Sequence, residues 1–146
     1  EAAGLAENDI ILDHQVPHVI VRPNEFRPYK TRFRRRLFPL YGEALEHAPN
    51  LAATQPVDGN FLSGKLNKAL RAATSQHSEK RTMNSLRHNW KDWLVEAGAE
   101  RSEIKYLMGH RRNDVTDNYG SSTKDLSRLH ELVVTVLRDI EAHRIF

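Results

Sequence analysis

Apolar residues recurring at helical spacing, each run closed by a glycine or opened by a cap, constrain this chain more than any other feature. Met83, Leu86, Trp90, Trp93, Leu94 and Ala97 step by three, four, three, one and three. Such steps gather them on one side of a helix, and Gly98 is a natural stop because it adopts left-handed backbone without steric cost. A second helix, from about Ser102 to Met108, ends the same way at Gly109, which lets His110 leave the helix axis at a sharp angle. A third comes after the capping sequence Ser122-Thr123-Lys124-Asp125, runs from Lys124 to Arg144, and carries Leu126, Leu129, Val133, Val136, Leu137 and Ile140 on one face.

The first forty residues read differently. Ile10-Ile11, His18 to Val21 and Leu37 to Leu40 are short β-type runs, with Pro23, Asn24 and Pro28 between the last two. They predict a small antiparallel sheet. After Pro39 come a short helical segment, Gly42 to His47, and a loop from about 48 to 60. Ser63 is then expected to cap a helix carrying Leu66, Ala69 and Leu70, with Gln76-His77-Ser78 as its exit. The expected class is α+β, mainly α, with the sheet near the N-terminus. At 146 residues and 39% hydrophobic content, one domain with one core is the expectation.

The absence of cysteine rules out disulfides and thiolate metal sites, and suits a reducing, cytoplasmic setting. No apolar run approaches the roughly 18 residues of a membrane span, and no signal layout opens the chain. His14 and His18 are four apart but fall in a strand region containing proline, so no metal pair is expected. Net charge is only +3, yet residues 27 to 36, RPYKTRFRRR, hold six cations and no acid. The predicted hairpin would carry that cluster. It fits a polyanion partner, and equally a solvated basic loop.

Arg87, His110 and Tyr119 come in order within NSLRHNWKDWLVEAGAERSEIKYLMGHRRNDVTDNYG. Taken singly, each has a packing explanation: Tyr119 as a half-buried aromatic, His110 as a helix C-cap, Arg87 as a partner of Asp92 or Glu96. Together they resemble the active-site motifs of the tyrosine recombinase (phage integrase) family. The resemblance rests on Arg87-His88, on Leu107-Met108-Gly109-His110, and on Tyr119 nine residues past that histidine. Lys30-Thr31 through Arg36-Leu37-Phe38-Pro39-Leu40 is likewise similar to the family's β-hairpin pattern.

The resemblance implies a catalytic domain that cleaves and rejoins DNA strands through a 3′-phosphotyrosyl intermediate. The chemistry suits the residue types. A phenol with a pKa of about 10 must attack an anionic phosphate, so the pocket has to be strongly cationic. Arg87 is the expected clamp, since a guanidinium grips two phosphate oxygens and stays charged in the transition state. His110 would be the second phosphate-binding group, Tyr119 the nucleophile, and Lys30 the acid that protonates the leaving 5′-oxygen. Arg32, Arg34, Arg35, Arg36, Arg111 and Arg112 are expected phosphate contacts, making binding steeply salt dependent. No cofactor is implied. The implied partners are double-stranded DNA and further copies of the protein in a synaptic tetramer, the C-terminal helix packing on its own domain or on a neighbour. A degenerate DNA-binding relative and a type IB topoisomerase are the alternatives.

Two departures matter. Asn84 stands where the family most often has histidine, three residues before Arg87. An amide can hold a phosphate oxygen but cannot shuttle a proton, so Asn84 is assigned to clamping and proton transfer to other groups. His88 lies about 100° around the helix from Arg87 and is assigned to structure, the tryptophans to the core, and Asp114 to capping the helix that presents Tyr119. The second departure is that Glu1 resembles the glutamate of an Arg-x-x-Glu segment, whose arginine would precede residue 1. The expectation is a catalytic domain truncated at its N-terminus, without its core-binding domain. On that alignment the 146-residue chain alone cleaves cognate DNA poorly, and robust cleavage in a gel assay would overturn it.

Overall fold

The computed structural model describes residues 4–26, 35–52, 58–73, 81–110 and 123–142. Three short strands open the chain: β1 (Ile10–Ile11), β2 (His18–Val21) and β3 (Arg36–Pro39). They form one antiparallel sheet in sequence order. Ile10 lies opposite Val19, Val19 opposite Phe38, and Val21 opposite Arg36. The third strand starts one residue earlier than its apolar run, because Arg36 pairs with Val21. Leu40 lies beyond the ladder, although its N–H still donates to the Pro17 carbonyl at 2.9 Å. The basic residues 27–34 of the connection, like the expected exit loop 76–78, lie outside the described residues.

Past β3 the described elements are mainly helices: α1 (Glu43–His47), α2 (Gly59–Ala73), α3 (Met83–Glu96), α4 (Arg101–Met108) and α5 (Thr123–Ala142). The mainly helical α+β architecture is the one expected. The cap of α2 is not. Asp58, rather than Ser63, opens that helix: its carboxylate accepts the Asn60 N–H at 2.8 Å and its carbonyl the Leu62 N–H at 3.0 Å. Ser63 sits within the helix, where a hydroxyl has no free backbone donor to cap.

Two apolar clusters hold these elements. Leu5, Val19, Val21, Leu40 and Ala48 pack beside the sheet. Leu94, Tyr106, Leu107, Leu129, Leu132, Val133 and Val136 join α3, α4 and α5. Phe38 of β3 packs against both, so the strand links the sheet to the helices. The buried face of α5 includes Leu132, which the sequence stripe missed, and it packs within this chain. Trp90, Trp93 and Ala97 meet the helical cluster as expected. Met83 and Leu86 do not: both are exposed, as are Phe61 and Leu66 on α2. The stripe of α3 is therefore used only in its C-terminal half, where α4 and α5 cover it. Among the described residues, no helix is long and apolar enough to cross a membrane.

Both imidazoles of the His14 and His18 pair turn to the backbone of Val16. His14 Nδ1 accepts its N–H at 3.0 Å, and His18 Nδ1 contacts its carbonyl oxygen at 2.8 Å. Beside the sheet, Asp9 is the buried anion. Arg22 Nε donates to it at 2.5 Å, Asn24 Nδ2 at 2.7 Å and the Ala6 N–H at 3.1 Å. Burial by itself pushes this carboxyl's pKa up, but the hydrogen bonds from Arg22, Asn24 and Ala6 outweigh it and hold the pKa below the ordinary aspartate value. A depressed folded-state pKa contributes stability that is present above the unfolded value and lost as pH falls through the folded one. Asp9→Asn is expected to cost about 1–3 kcal/mol near neutral pH. In urea titrations the gap between wild type and variant should close as the pH is lowered through the acid range.

Candidate functional site

Beside its apolar stripe, with Arg87 just off the edge, α3 carries a polar one. Asn84, Arg87, His88 and Lys91 step by three, one and three, the spacing of a single helix face. On α4, Arg101, Ile104, Lys105 and Met108 repeat that spacing. The two faces, with Val95, Ala99 and His110, line one cleft of about 680 Å³. Of its described lining, four side chains are lysine or arginine and two are histidine, and none is a carboxylate.

The end of α4 sets the geometry. Gly109 has φ +65°, the Gly109 N–H donates to the Tyr106 carbonyl at 3.0 Å, and the His110 N–H donates to the Lys105 carbonyl at 2.9 Å. This paired closure is the Schellman arrangement, which turns the chain off the helix axis at the glycine. His110 is thereby carried out at the rim of the cleft, as the glycine implied. Arg87 reaches across from α3, and its Nη2 donates to the Met108 carbonyl at 2.5 Å. That carbonyl belongs to the helix terminus, where no intrahelical partner exists and the dipole favours a cation. No described ion pair joins Arg87 to Asp92 or Glu96.

Below the helix end, the Tyr106 hydroxyl accepts the Leu37 N–H of β3 at 2.8 Å. Arg36, on the same strand, is only 7% exposed, and its guanidinium packs against Gly109. A side chain built at residue 109 would come within 2.6 Å of Arg36 Nη1. Arg35, by contrast, is exposed to solvent. Of the two described arginines expected to meet phosphates, one faces outward and the other sits beneath the residue that turns His110.

Asn84, Arg87 and His110 thus share the cleft. Lys30, Arg32, Arg34, Arg111, Arg112, Asp114 and Tyr119 lie outside the described residues. His88, expected to be structural, joins Asn84, Arg87 and His110 there. It is exposed, lines the same cleft as Arg87, and its Nε2 lies 3.2 Å from Asn84 Nδ2. An angle of about 100° separates neighbouring side chains on a helix, yet a cleft spanning two helices is wide enough to receive both. Lys91, Arg101 and Lys105 join the cleft although no motif names them. Their signal is the polar i, i+3, i+4, i+7 spacing, which runs beside the apolar stripe.

Among the described residues, no group of three histidine, aspartate or glutamate side chains could hold a metal ion. A model of the Phage integrase family matches residues 37–125, more than half of the chain. No curated protein and no solved structure matches it.

Gly98 and Gly109 make a controlled pair. Both have positive φ, +75° and +65°, but an added Cβ meets nothing at Gly98 and the Arg36 guanidinium at Gly109. Gly98→Ala should lose roughly 1–2 kcal/mol, the cost of a left-handed non-glycine residue. Gly109→Ala should lose more, and should also shift the NMR signals of the His110 ring. Equal losses in chemical denaturation would show that Arg36 yields without cost.

Proposed function

The chain belongs to the phage integrase family, and on that premise we propose that it cleaves and rejoins DNA strands through a 3′-phosphotyrosyl intermediate. The observation that carries the reading is the shared cleft: Arg87, Asn84 and His110 line it together, among cations and without a described carboxylate. A phosphodiester entering there would exchange water for charge-assisted hydrogen bonds. As the phosphorus becomes pentacoordinate its oxygens gain charge, and fixed donors around them favour that state over the ground state.

In this scheme Arg87 holds two non-bridging oxygens and Asn84 donates an amide hydrogen to a third contact. His110 supplies a further donor at the rim. Tyr119 gives its phenolic proton to solvent, attacks phosphorus through that oxygen and displaces the 5′-oxygen of the next nucleotide, which leaves with a proton from Lys30, and the lysine is recharged from solvent. The phosphotyrosine conserves the energy of the broken bond, so a second 5′-hydroxyl can reverse the step and join a different strand. Arg32, Arg34, Arg35, Arg111 and Arg112 serve the longer-range attraction to the DNA backbone, while Arg36, buried beneath Gly109, braces the turn that carries His110; copies of the protein assemble on the exchanging duplexes.

The test uses the whole protein and a nicked suicide substrate bearing its exchange site. Wild type should become covalently attached to DNA, and Tyr119→Phe should not. Arg87→Ala should slow attachment by about 100- to 1,000-fold, the usual effect of removing one transition-state donor. DNA binding without an adduct in wild type would leave only the binding-module reading. Supercoil relaxation without strand exchange would replace recombination by topoisomerase activity.

A further inference from the structure

We propose that His88 is a phosphate contact that exchanges a proton, positioned by Asn84, so that a phosphodiester entering the cleft draws a proton from solvent onto its ring. The inference rests on the reading of the cleft as a DNA phosphate site and adds a residue and a linkage to it. Its basis is geometric. Asn84 and His88 stand one helical turn apart on the exposed face of α3, both line the cleft, and Asn84 Nδ2 is 3.2 Å from His88 Nε2.

With the amide nitrogen as donor, Nε2 is the acceptor, and the neutral ring carries its hydrogen on Nδ1. Protonating the ring changes what Asn84 must do. Two N–H groups would then face each other, and the contact survives only if the amide turns over to present its oxygen to Nε2–H. That rotation frees the amide hydrogens to point elsewhere in the cleft. Asn84 cannot carry a proton itself, but it responds to the state of a side chain that can.

Among the described residues, the charged and titratable groups that line the cleft with His88 are Arg87 and Lys91 from α3, Arg101 and Lys105 from α4, and His110 beyond it, with no carboxylate among them; Asp92, one turn on from His88 along α3, is not part of that lining. A bound phosphodiester would bring a negative charge to this described lining, and a nearby opposite charge favours the protonated form of an imidazole. By reciprocity, protonation must strengthen binding by the same factor. One solvent proton is consumed for each cleft in which a neutral ring becomes charged. It stays on the ring, beside a phosphate oxygen.

The experiment measures binding of the whole protein to a short fluorescent duplex of arbitrary sequence at low salt, from about pH 6 to about pH 8. Calorimetry in buffers of different ionisation enthalpy counts the protons. Wild type should lose about tenfold in affinity across that range and take up protons on binding. His88→Gln should bind with a flatter pH profile and reduced uptake, and Asn84→Ala should alter the uptake while leaving His88 able to titrate. NMR titration of the His88 ring in wild type, with and without duplex, gives the same answer without a substitution. An unchanged profile and uptake in His88→Gln, or a ring titration that ignores the duplex, overturns the proposal. Affinity that depends on Arg87 while ignoring His88 sinks this inference alone, whereas affinity insensitive to Arg87→Ala removes the phosphate-cleft reading beneath it.

Discussion

Every helix ends with carbonyls that its own backbone cannot satisfy, and the way α4 meets that constraint organises the site. The Lys105 and Tyr106 carbonyls are closed by the N–H groups of His110 and Gly109, and the Met108 carbonyl is taken by Arg87. Two of these bonds require the left-handed glycine. The third recruits a side chain from another helix. Arg87 and His110 are therefore related through the last turn of α4, whatever occupies the space between them. The same turn is anchored from beneath, where Tyr106 accepts the Leu37 N–H and packs with Leu94 and Leu107 in the helical core.

Charge is treated in opposite ways at the two polar centres. Asp9 is buried, and an ion removed from water must be given partners, so a guanidinium, an amide and a backbone N–H converge on it. In the cleft, Asn84, Arg87, His88, Lys91, Arg101 and His110 are exposed. Water screens the mutual repulsion of the cations Arg87, Lys91 and Arg101, which at about 4 Å is about 1 kcal/mol per pair in bulk solvent. That cost is tolerable while the cleft is open. An anion that displaces the water is attracted to all three, and more strongly because the charges then act across a medium of lower dielectric. A structural ion is saturated by the fold, whereas the described lining of the cleft contains no carboxylate beside its cations.

Local rules made much of this legible. Glycines 98 and 109 marked two helix ends, and the left-handed backbone at both is what their position implied. The strands at Ile10–Ile11 and His18–Val21 came from β-branched runs between turn formers. What sequence spacing could not convey is which part of a stripe finds a partner. Met83 and Leu86 have the right period, yet core contact begins at Trp90, where α5 happens to pass. Arg36 shows the same limit from the other direction. Within a run of arginines it looks like its neighbours, and only the pairing of Val21 with residue 36 puts its guanidinium under Gly109. His88 shows a third limit: helix geometry gives the angle between adjacent residues, but the width of the cleft that receives both comes only from how α3 and α4 pack.

The packing of α5 bears on how copies of such a protein could join. Its apolar face, from Leu126 to Val136, is buried against α3, α4 and β3 of the same chain. Leu126, Leu129, Leu132, Val133 and Val136 are each nearly inaccessible, and exposing a side chain of this kind costs about 1.5–3 kcal/mol. Freeing all five would cost on the order of 10 kcal/mol, comparable with the whole stability of an ordinary domain. A neighbour could accept the helix only by rebuilding those same contacts, and the exchange would have to pass through a state with the core of α3 and α4 opened. Since Leu94 and Leu107 in that core hold the helices that carry Arg87 and Met108, opening it would also part the two sides of the cleft. In the packing seen here the buried face of α5 is committed to its own chain, and an assembly that keeps it so joins copies through other surfaces.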